Sequence, residues 1–354
     1  MFGGYRGQAS QLILRTWLNR EVVVSQTSIL VSIEVADATR FRTDVLVLKH
    51  AQAMYGVDAA VFRNLGGEEG NLKLPDVGEH SIVRARHAIG ADRVLFVGVE
   101  PLKEFGYGQI REFARRAMTF LAAYNEKIRR IAFTLHGPGY GLDENESFES
   151  ELAGIVEAIT ENEYPEHLEQ IFFVERDESR AKRLKVVLAR LLPGGALTRT
   201  GRGPLSGLDK PAEQALRSAG VASATKPHVF IAMPFADAMS DVFHYGIQGA
   251  VNSAGLLAER ADLSAFTGDV MEWVKTRISG ASLVIADMTD ANPNVYLEVG
   301  FAWGKGIPTV LLSKSSVDLK FDVRGQRCII YSSIKDLEQK LTNELSALLK
   351  SKAG

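Results

Sequence analysis

Short apolar segments alternate with amphipathic helical patterns along most of the chain, and this alternation restricts its fold more than any other feature. In the first half, four segments are rich in β-branched and aromatic residues: 44–50, 93–100, 129–137 and 170–177. Such runs are typical of buried strands. The stretches 108–125 and 147–162 lie between them and carry apolar side chains at helical spacing. Together they predict a layered α/β domain.

The segment 20–37 reads as two further strands, so we expect the first sheet to be mixed. After residue 227 the alternation resumes with strand patterns at 228–235, 256–262, 282–288, 308–313 and 327–332. Helical patterns separate the earlier strands, and a terminal one covers 334–352. This order predicts a doubly wound, flavodoxin-like parallel sheet, in which ligands bind beyond the carboxyl ends of the strands.

The clearest seam in the chain is the stretch 193–226. Its glycines, prolines and small polar residues interrupt both strand and helix periodicity, although 212–220 fits a short helix. We therefore predict a first domain over 1–192, a linker over 193–226 and a second domain over 227–354.

Composition excludes several classes of function. Acidic and basic residues number 43 and 41, so no nucleic-acid partner is predicted. The single cysteine, Cys328, excludes an intramolecular disulfide and a cysteine-based zinc site. The first residues lack a secretory pattern, and no apolar run approaches the roughly 20 residues that span a bilayer. We expect a cytoplasmic protein with no membrane partner and no metal.

A glycine-rich loop follows the strand pattern at 129–137, directly before a helix. It contains three spaced glycines: Gly137, Gly139 and Gly141. Backbone amides at such a helix start can bind phosphate, but three nearby carboxylates would repel one. The alternative is a tight turn that needs glycine only for its backbone angles.

The order of elements over residues 40–192 is similar to the macro-domain-like fold, which includes the amino-terminal domain of leucyl aminopeptidases. The likeness rests on "ADRVLFVGVEP", a helix, "IAFTLHGPGYG" and a second helix. It implies a three-layer domain that senses ADP-ribose or a related nucleotide through glycine-rich loops. The chain departs from the family because it lacks a clear acidic-plus-asparagine signature. Only Asn64, Gly66 and Gly67 offer a second loop.

In the second half, polar residues follow the predicted strands at the edge where ligands are expected. Met233, Pro234 and Phe235 end the first strand, Arg260 and Asp262 the second, and Asp287 and Asp290 the third. Asn292 suits a helix cap before Pro293, which places Glu298 in the second turn of the helix. We expect carboxylates from separate segments to converge there.

A carboxylate at this edge suits the cleavage of an N-glycosidic bond. Breaking the bond between a sugar C1′ and a base builds positive charge on the sugar, which a carboxylate can stabilise or attack. Glu298 is the candidate for this role, and Asp287 or Asp290 could hold sugar hydroxyls or move a proton. The alternative is that Glu298 forms a cap or a salt bridge, while Asp287 and Asp290 are ordinary turn residues.

Residues 228–331 resemble the superfamily that joins nucleoside 2-deoxyribosyltransferases with the Toll-interleukin-receptor-like (TIR-like) nucleotide-binding domains of bacteria. The matching blocks are "VFIAMPF", "AERAD", "LVIADMTDANPNVYLEVGFAWGKGIPTVLLS" and "FDVRGQRCIIY". Asn292 and Asn294 belong to the asparagine-proline-asparagine motif. Glu298 stands where the deoxyribosyltransferases have their nucleophile and where TIR enzymes have the glutamate needed to cleave NAD. Some members have no known catalysis.

Arg260 and Arg324 favour a phosphorylated ligand such as NAD, because a guanidinium pairs with phosphate through two hydrogen bonds. The alternative is that they form ion pairs with Asp262 and Asp322. The resemblance implies an NAD-cleaving bacterial immune effector that acts as a homo-oligomer without a cofactor. Two other functions stay open: nucleotide binding without cleavage, and a deoxyribosyltransferase.

Overall fold

The computed structural model describes residues 26–67, 72–124, 126–200, 203–260, 270–315, 319, 323 and 326–353. These residues form two separate β-sheets, one of eight strands and one of five. We call the part built on the first sheet the larger unit (26–218) and the part built on the second the smaller unit (228–353). In the ranges described, no helix is both long and apolar enough to cross a membrane.

The sheet of the larger unit is mixed. Its strands are β1 (Gln26–Val35), β2 (Val45–His50), β3 (His80–Arg84), β4 (Arg93–Gly98), β5 (Arg130–Phe133), β6 (Gln170–Glu175), β7 (Ala196–Thr200) and β8 (Leu205–Ser206). Their order across the sheet is β3-β4-β2-β5-β6-β1-β7-β8. The central strands from β4 to β1 are parallel, whereas β3, β7 and β8 pair antiparallel with their neighbours.

Helices cover both faces of this sheet. The helices of the larger unit are α1 (Gly56–Asn64), α2 (Tyr107–Ala123), α3 (Glu144–Thr160), α4 (Glu178–Leu191) and α5 (Lys210–Ser218). The last four pack on one face over a core that includes Phe113 and Phe148. On the opposite face, Val61 of α1 packs against the other side of the strands. The unit therefore has three layers.

The sheet of the smaller unit is entirely parallel. Its strands are β9 (His228–Ala232), β10 (Leu257–Glu259), β11 (Leu283–Asp287), β12 (Thr309–Ser313) and β13 (Cys328–Ile330). They lie in the order β10-β9-β11-β12-β13. Counted from the first strand of the unit this is 2-1-3-4-5, the flavodoxin-like order. The predicted α/β fold with a doubly wound second sheet is confirmed.

Helices also cover both faces of the smaller sheet. A π-helical segment, Val242–Gln248, continues into α6 (Gly249–Ser253), and α9 (Ile334–Ala353) packs beside it. On the other face lie α7 (Val270–Gly280) and α8 (Pro293–Gly304). The sequence predicts a helical pattern between β9 and β10, and the structure divides this stretch into a 3-10 turn at Asp237–Met239, the π-helical segment and α6. A π-helical turn inside a helix is often found at functional sites.

The structure differs from the sequence-based expectation in the stretch 193–226, which was predicted to be a linker. It contains β7, β8 and α5, and β7 extends the larger sheet by pairing antiparallel with β1. Leu197 and Arg199 of β7 are buried, and Arg199 donates a 2.7 Å hydrogen bond from Nη1 to the carbonyl of Ile159. Three of the glycines that suggested a linker, Gly195, Gly203 and Gly207, lie in the turns beside these short strands. The segment 20–37 was predicted to contain two strands. Its described residues, 26–37, contain one strand, β1.

Gly154 allows a close approach between α3 and α2. A Cβ atom at this position would stand 2.0 Å from the backbone oxygen of Arg111. We expect Gly154→Ala to lower the free energy of unfolding by about 2 kcal/mol, because the two helix backbones must separate. Chemical denaturation measures this change. The matched control is Gly300→Ala in α8, where no atom lies within 4 Å of the added methyl. This control should be stabilised by about 0.8 kcal/mol through helix propensity, and equal effects of the two changes would contradict the prediction.

Candidate functional site

The carboxyl edge of the smaller sheet brings together the residues that follow β9, β10 and β11. The chain passes from β9 to β10 on one side and then to β11 on the other, so its direction reverses beside β9. Ligands of doubly wound sheets bind at such a switch point. Met233 and Pro234 follow β9 and are buried, whereas Phe235 is exposed. The edge therefore combines an apolar floor with an exposed aromatic ring.

Arg260 lies at this edge, directly after β10. Its guanidinium carbon is 4.5 Å from the ring centroid of Phe243 and 5.4 Å from that of Phe235. Its Nη1 is 3.8 Å from the sulfur of Met233. Cation–π contacts of this kind orient a guanidinium. Met233, Phe235 and Phe243, which all follow β9 in the chain, thus hold Arg260 at the carboxyl edge of the sheet.

Asp287 is the last residue of β11 and is fully buried. Its Oδ1 accepts a 3.0 Å hydrogen bond from the backbone amide of Thr289. Its Oδ2 accepts a 2.7 Å hydrogen bond from the hydroxyl of Tyr331. Burial raises the pKa of this carboxyl above its usual range. Asp287 therefore ties the turn after β11 to the end of β13, which is a positioning role.

The turn that follows Asp287 has an uncommon backbone. Asp290 and Ala291 have φ angles of 62° and 50°, in the left-handed region that few non-glycine residues adopt. Strain of this type often occurs at functional sites. Asn292 then caps α8 by accepting a 3.0 Å hydrogen bond from the amide of Asn294. The turn exposes the side chain of Asp290 and starts α8 at the carboxyl edge.

Glu298 is half-buried in the second turn of α8. Among the residues described, no hydrogen bond or ion pair engages its carboxyl group. Burial raises the pKa of Glu298 to about 7. A carboxyl group with this pKa exchanges between its charged and neutral forms near neutral pH, which suits a group that acts on a substrate.

Two predicted site residues lie outside the described residues, namely Asp262 and Arg324. The three glycines lie in the larger unit, and the remaining predicted residues lie at the ends of β9, β10 and β11 or in the first two turns of α8. The structure gives them different surroundings: Asp287 is fully engaged, Asn292 and Asn294 form a helix cap, and Glu298 is free of described partners.

The glycine loop of the larger unit is a packed turn. Gly137 and Gly141 have φ angles of 115° and 98°, which only glycine adopts readily. A Cβ at Gly137 would stand 2.3 Å from Ser147 Oγ, and one at Gly141 would stand 2.7 Å from the ring of Trp273. Gly139 has open space instead. Backbone angles and packing thus explain Gly137 and Gly141, whereas Gly139 is exposed and no atom lies within 4 Å of its Cβ position.

A cleft that the sequence did not reveal lies at the carboxyl edge of the larger sheet. It measures about 370 Å³ and is lined by residues that include Asp37, Gly56, Thr134 and Glu175. Asp37 accepts hydrogen bonds from the amide and hydroxyl of Thr39 at 2.8 and 2.7 Å, and these bonds lower its pKa. The signal in the sequence was "VADAT", an acidic residue at the carboxyl end of a strand, since Asp37 lies two residues after β1 ends.

Asn64, Gly66 and Gly67, which we expected to form a second ligand loop, are not among the residues that line this cleft. Helix α1 begins at Gly56, beside this cleft, and ends at Asn64. Gly66 and Gly67 follow the far end of the helix, and a Cβ at Gly67 would collide with Phe62. The start of α1, and not residues 64–67, therefore lies at the carboxyl edge.

Buried polar groups lie beneath the glycine loop. Lys49 and Asp58 form a buried ion pair with a 2.5 Å separation between Nζ and Oδ2. Nearby side-chain atoms are buried without a hydrogen-bond partner among the described residues: Asp58 Oδ1, Thr134 Oγ1, His136 Nε2, Tyr140 OH, Ser147 Oγ and Glu151 Oε1. Burial raises the pKa of Glu151 well above its usual value and lowers that of His136 well below. Such atoms are the groups that a polar ligand or bound water satisfies.

No protein-family model matches the chain, and no curated protein matches it. The chain is similar to the solved Oceanobacillus iheyensis macrodomain with MES bound, at 19% identity over 48% of this chain and 99% of that one, with a TM-score of 0.37.

Two further macrodomains show a similar likeness. The Trypanosoma brucei macrodomain in complex with ADP is 20% identical over 45% of this chain and 68% of its own, with a TM-score of 0.37. The macro domain of ganglioside induced differentiation associated protein 2 is 13% identical over 45% of this chain and 83% of its own, with a TM-score of 0.35. Identities and TM-scores this low transfer no ligand and no activity to this chain.

The two units meet through a polar contact beside the glycine loop. Asp143, which caps α3, accepts a 3.1 Å hydrogen bond from the amide of Ala258 in β10 and a 3.3 Å one from Gln248. Burial raises the pKa of Asp143 to about 6. The hydroxyl of Tyr107 in α2 donates a 2.9 Å hydrogen bond to Glu259. The glycine loop is thus joined to the strand that precedes Arg260.

Proposed function

We propose that the smaller unit is a TIR-like, deoxyribosyltransferase-like domain that cleaves the N-glycosidic bond of NAD or a related nucleotide. The observation that carries the proposal is Glu298, a half-buried carboxyl group without a described partner and with a pKa raised to about 7. The proposal is supported by α8, which carries Glu298 in its second turn and follows β11 at the carboxyl edge of the sheet, where flavodoxin-like folds bind their ligands.

The reaction breaks the bond between the ribose C1′ and the nicotinamide nitrogen. The bonding electron pair leaves with nicotinamide, and positive charge develops on the ribose ring. The carboxylate of Glu298 stabilises this charge or forms a transient bond to C1′. Water then adds to C1′ and loses a proton, which gives ADP-ribose. A carboxylate in a partly buried setting stabilises the charge better than one in bulk water.

The surrounding residues suggest how the nucleotide is held. Arg260, oriented by two aromatic rings, is the candidate to bind the pyrophosphate. Asp290, exposed on the left-handed turn, is the candidate to accept hydrogen bonds from ribose hydroxyls. Asp287 acts through the turn by its bonds to Thr289 and Tyr331.

We also propose that the larger unit binds a nucleotide and controls the smaller one. The cleft at its carboxyl edge and the buried polar groups beneath the glycine loop support a polar ligand site there. The bonds of Asp143 to β10 supply a mechanical connection between that loop and Arg260. Under the TIR-like resemblance, the protein would work in bacterial immunity as a homo-oligomer.

The experiment that tests this function is chromatography of the products after the full chain is incubated with NAD over a wide range of protein concentrations. Release of nicotinamide and ADP-ribose supports the proposal. A parallel mixture of a deoxynucleoside and a second free base separates the alternative, because a deoxyribosyltransferase exchanges the bases without consuming NAD. Absence of product from both mixtures would favour nucleotide binding without cleavage.

The rate of NAD cleavage is expected to rise with pH and to level off above a midpoint of about 7. The reason is that the charged form of Glu298 is the active one, and its pKa is raised to about 7. Initial rates of nicotinamide release measured across the neutral range give the midpoint. A rate that falls as the pH rises through 7 would assign Glu298 the role of an acid and contradict the proposed chemistry.

A further inference from the structure

A basic cleft lies at the amino edge of the larger sheet, opposite the carboxyl-edge cleft. It measures about 710 Å³, and its ionisable lining residues are Arg40, Arg42, His87, Asp92 and Arg130. We call it the amino-edge cleft. Arg42 precedes β2, Asp92 precedes β4, and Arg130 begins β5. Because these strands are parallel, the amino ends of three neighbouring strands form the cleft.

The amino-edge cleft has an excess of positive charge, although the whole chain has a net charge of −2. Arg40 and Arg42 are exposed, and neither guanidinium has a hydrogen-bond or ion-pair partner in the part of the chain that the structure describes. Arg130 pairs with Asp44 at 3.2 Å. Asp92 is the acidic residue in the lining. Guanidinium groups stay protonated. Besides the hydrogen bonds from Thr39, the charge of Arg40 acts electrostatically on Asp37 and lowers its pKa, but neither Arg40 nor Arg42 forms a described ion pair, so both contribute positive charge to the lining of the cleft.

The backbone fixes the segment that carries these arginines. The amide of Gly90 donates a 2.8 Å hydrogen bond to the carbonyl of Thr39, and that of Asp92 donates a 3.0 Å bond to the carbonyl of Thr43. A Cβ at Gly90 would stand 2.4 Å from the backbone oxygen of Arg40. The segment therefore packs directly on the turn between β3 and β4. A cleft held in this way loses little entropy when it binds a ligand.

The turn between β3 and β4 adds a second observation. Arg86 and His87 have φ angles of 47° and 69°. Two successive non-glycine residues in the left-handed region are costly, and such backbone strain clusters at ligand sites. The strained turn places His87 in the lining of the cleft.

We propose that the amino-edge cleft binds a run of phosphates. A guanidinium pairs with a phosphate through two parallel hydrogen bonds, and arginines from two sides of the cleft can engage successive phosphates. The cleft is also larger than a single phosphate requires. The shared chemistry is that of free polyphosphate, a nucleotide polyphosphate or the backbone of a nucleic-acid strand. The expectation of no nucleic-acid partner rested on whole-chain charge, whereas a phosphate responds to local charge.

The test compares Arg40→Gln/Arg42→Gln with the matched pair Arg63→Gln/Arg217→Gln in the full chain. The control arginines are also exposed and lack a described side-chain partner, so both variants change the net charge equally. Binding of inorganic tripolyphosphate is measured by titration calorimetry, and binding of a labelled single-stranded DNA by fluorescence anisotropy. We expect the first pair to weaken binding by about tenfold or more, and the control pair to change it by less than about twofold.

The two probes distinguish the sources of phosphate. Tripolyphosphate binding that the Arg40/Arg42 variant weakens supports a polyphosphate or nucleotide ligand. Binding of DNA alone, with the same loss, supports a nucleic-acid strand, and added salt should weaken it steeply. Binding of neither probe, or an equal loss in both variants, would overturn the proposal. Unchanged thermal unfolding midpoints verify that both variants fold.

Discussion

Replacing Glu298 by glutamine is expected to lower the rate of nicotinamide release from NAD by about a thousandfold or more. Glutamine keeps the size of the side chain but cannot carry the negative charge that stabilises the developing positive charge on the ribose. No described residue pairs with Glu298, so its removal leaves no other charge unpaired. Product chromatography under saturating NAD measures the loss.

The matched control is Glu338→Gln, which makes the same chemical change on the exposed surface of α9. It should retain the full rate. NAD binding should persist in the Glu298 variant, because Arg260 and the turn at Asp290 are unchanged. A Glu298 variant that still releases nicotinamide at the wild-type rate would rule out the proposed role of this carboxylate.

Asp58→Asn is expected to lower the free energy of unfolding by about 3 to 5 kcal/mol. The side chains of Asp58 and Lys49 are 3% and 8% exposed, so the change leaves a buried ammonium group without its counter-charge. Burial raises the pKa of Asp58 even beside Lys49, which shows how costly its charge is at this position. Chemical denaturation measures the loss.

Two further variants isolate the cause of that loss. Lys49→Met combined with Asp58→Leu removes both charges and should recover most of the stability. Glu178→Gln breaks an exposed ion pair with Lys182, at 2.9 Å, and should leave the unfolding midpoint unchanged. A double variant as unstable as Asp58→Asn would indicate that packing, and not the unpaired charge, causes the loss.

The parts of the fold that could be predicted were those with a local signal. The strands of the smaller sheet are continuous apolar runs, and the helices between them carry apolar residues at helical spacing, so the sequence alone indicated the α/β class. The cap at Asn292 and the position of Glu298 in α8 also follow from a few adjacent residues. Strand β7 was missed because it is short, lies between glycine turns and is stabilised by pairing with the distant β1.

The parts that could not be predicted depend on contacts between distant residues. Asp287 and Tyr331 are 44 positions apart, and their hydrogen bond explains why Asp287 is engaged whereas Glu298 is not. The amino-edge cleft combines arginines from separate segments, none of which forms a long basic run. The bond between Asp143 and Ala258 spans 115 positions. None of these pairings produces a pattern among neighbouring residues of the sequence.

Strand β10 is an edge strand, and the larger unit covers it. Leu257 is buried in the core of the larger unit, while the amide of Ala258 and the carboxylate of Glu259 bind Asp143 and Tyr107. An uncovered edge of this kind is a template on which strands of other copies can pair. A fragment that starts near residue 227 would expose both this edge and Leu257. We therefore expect such a fragment to aggregate, whereas the intact chain keeps the edge closed.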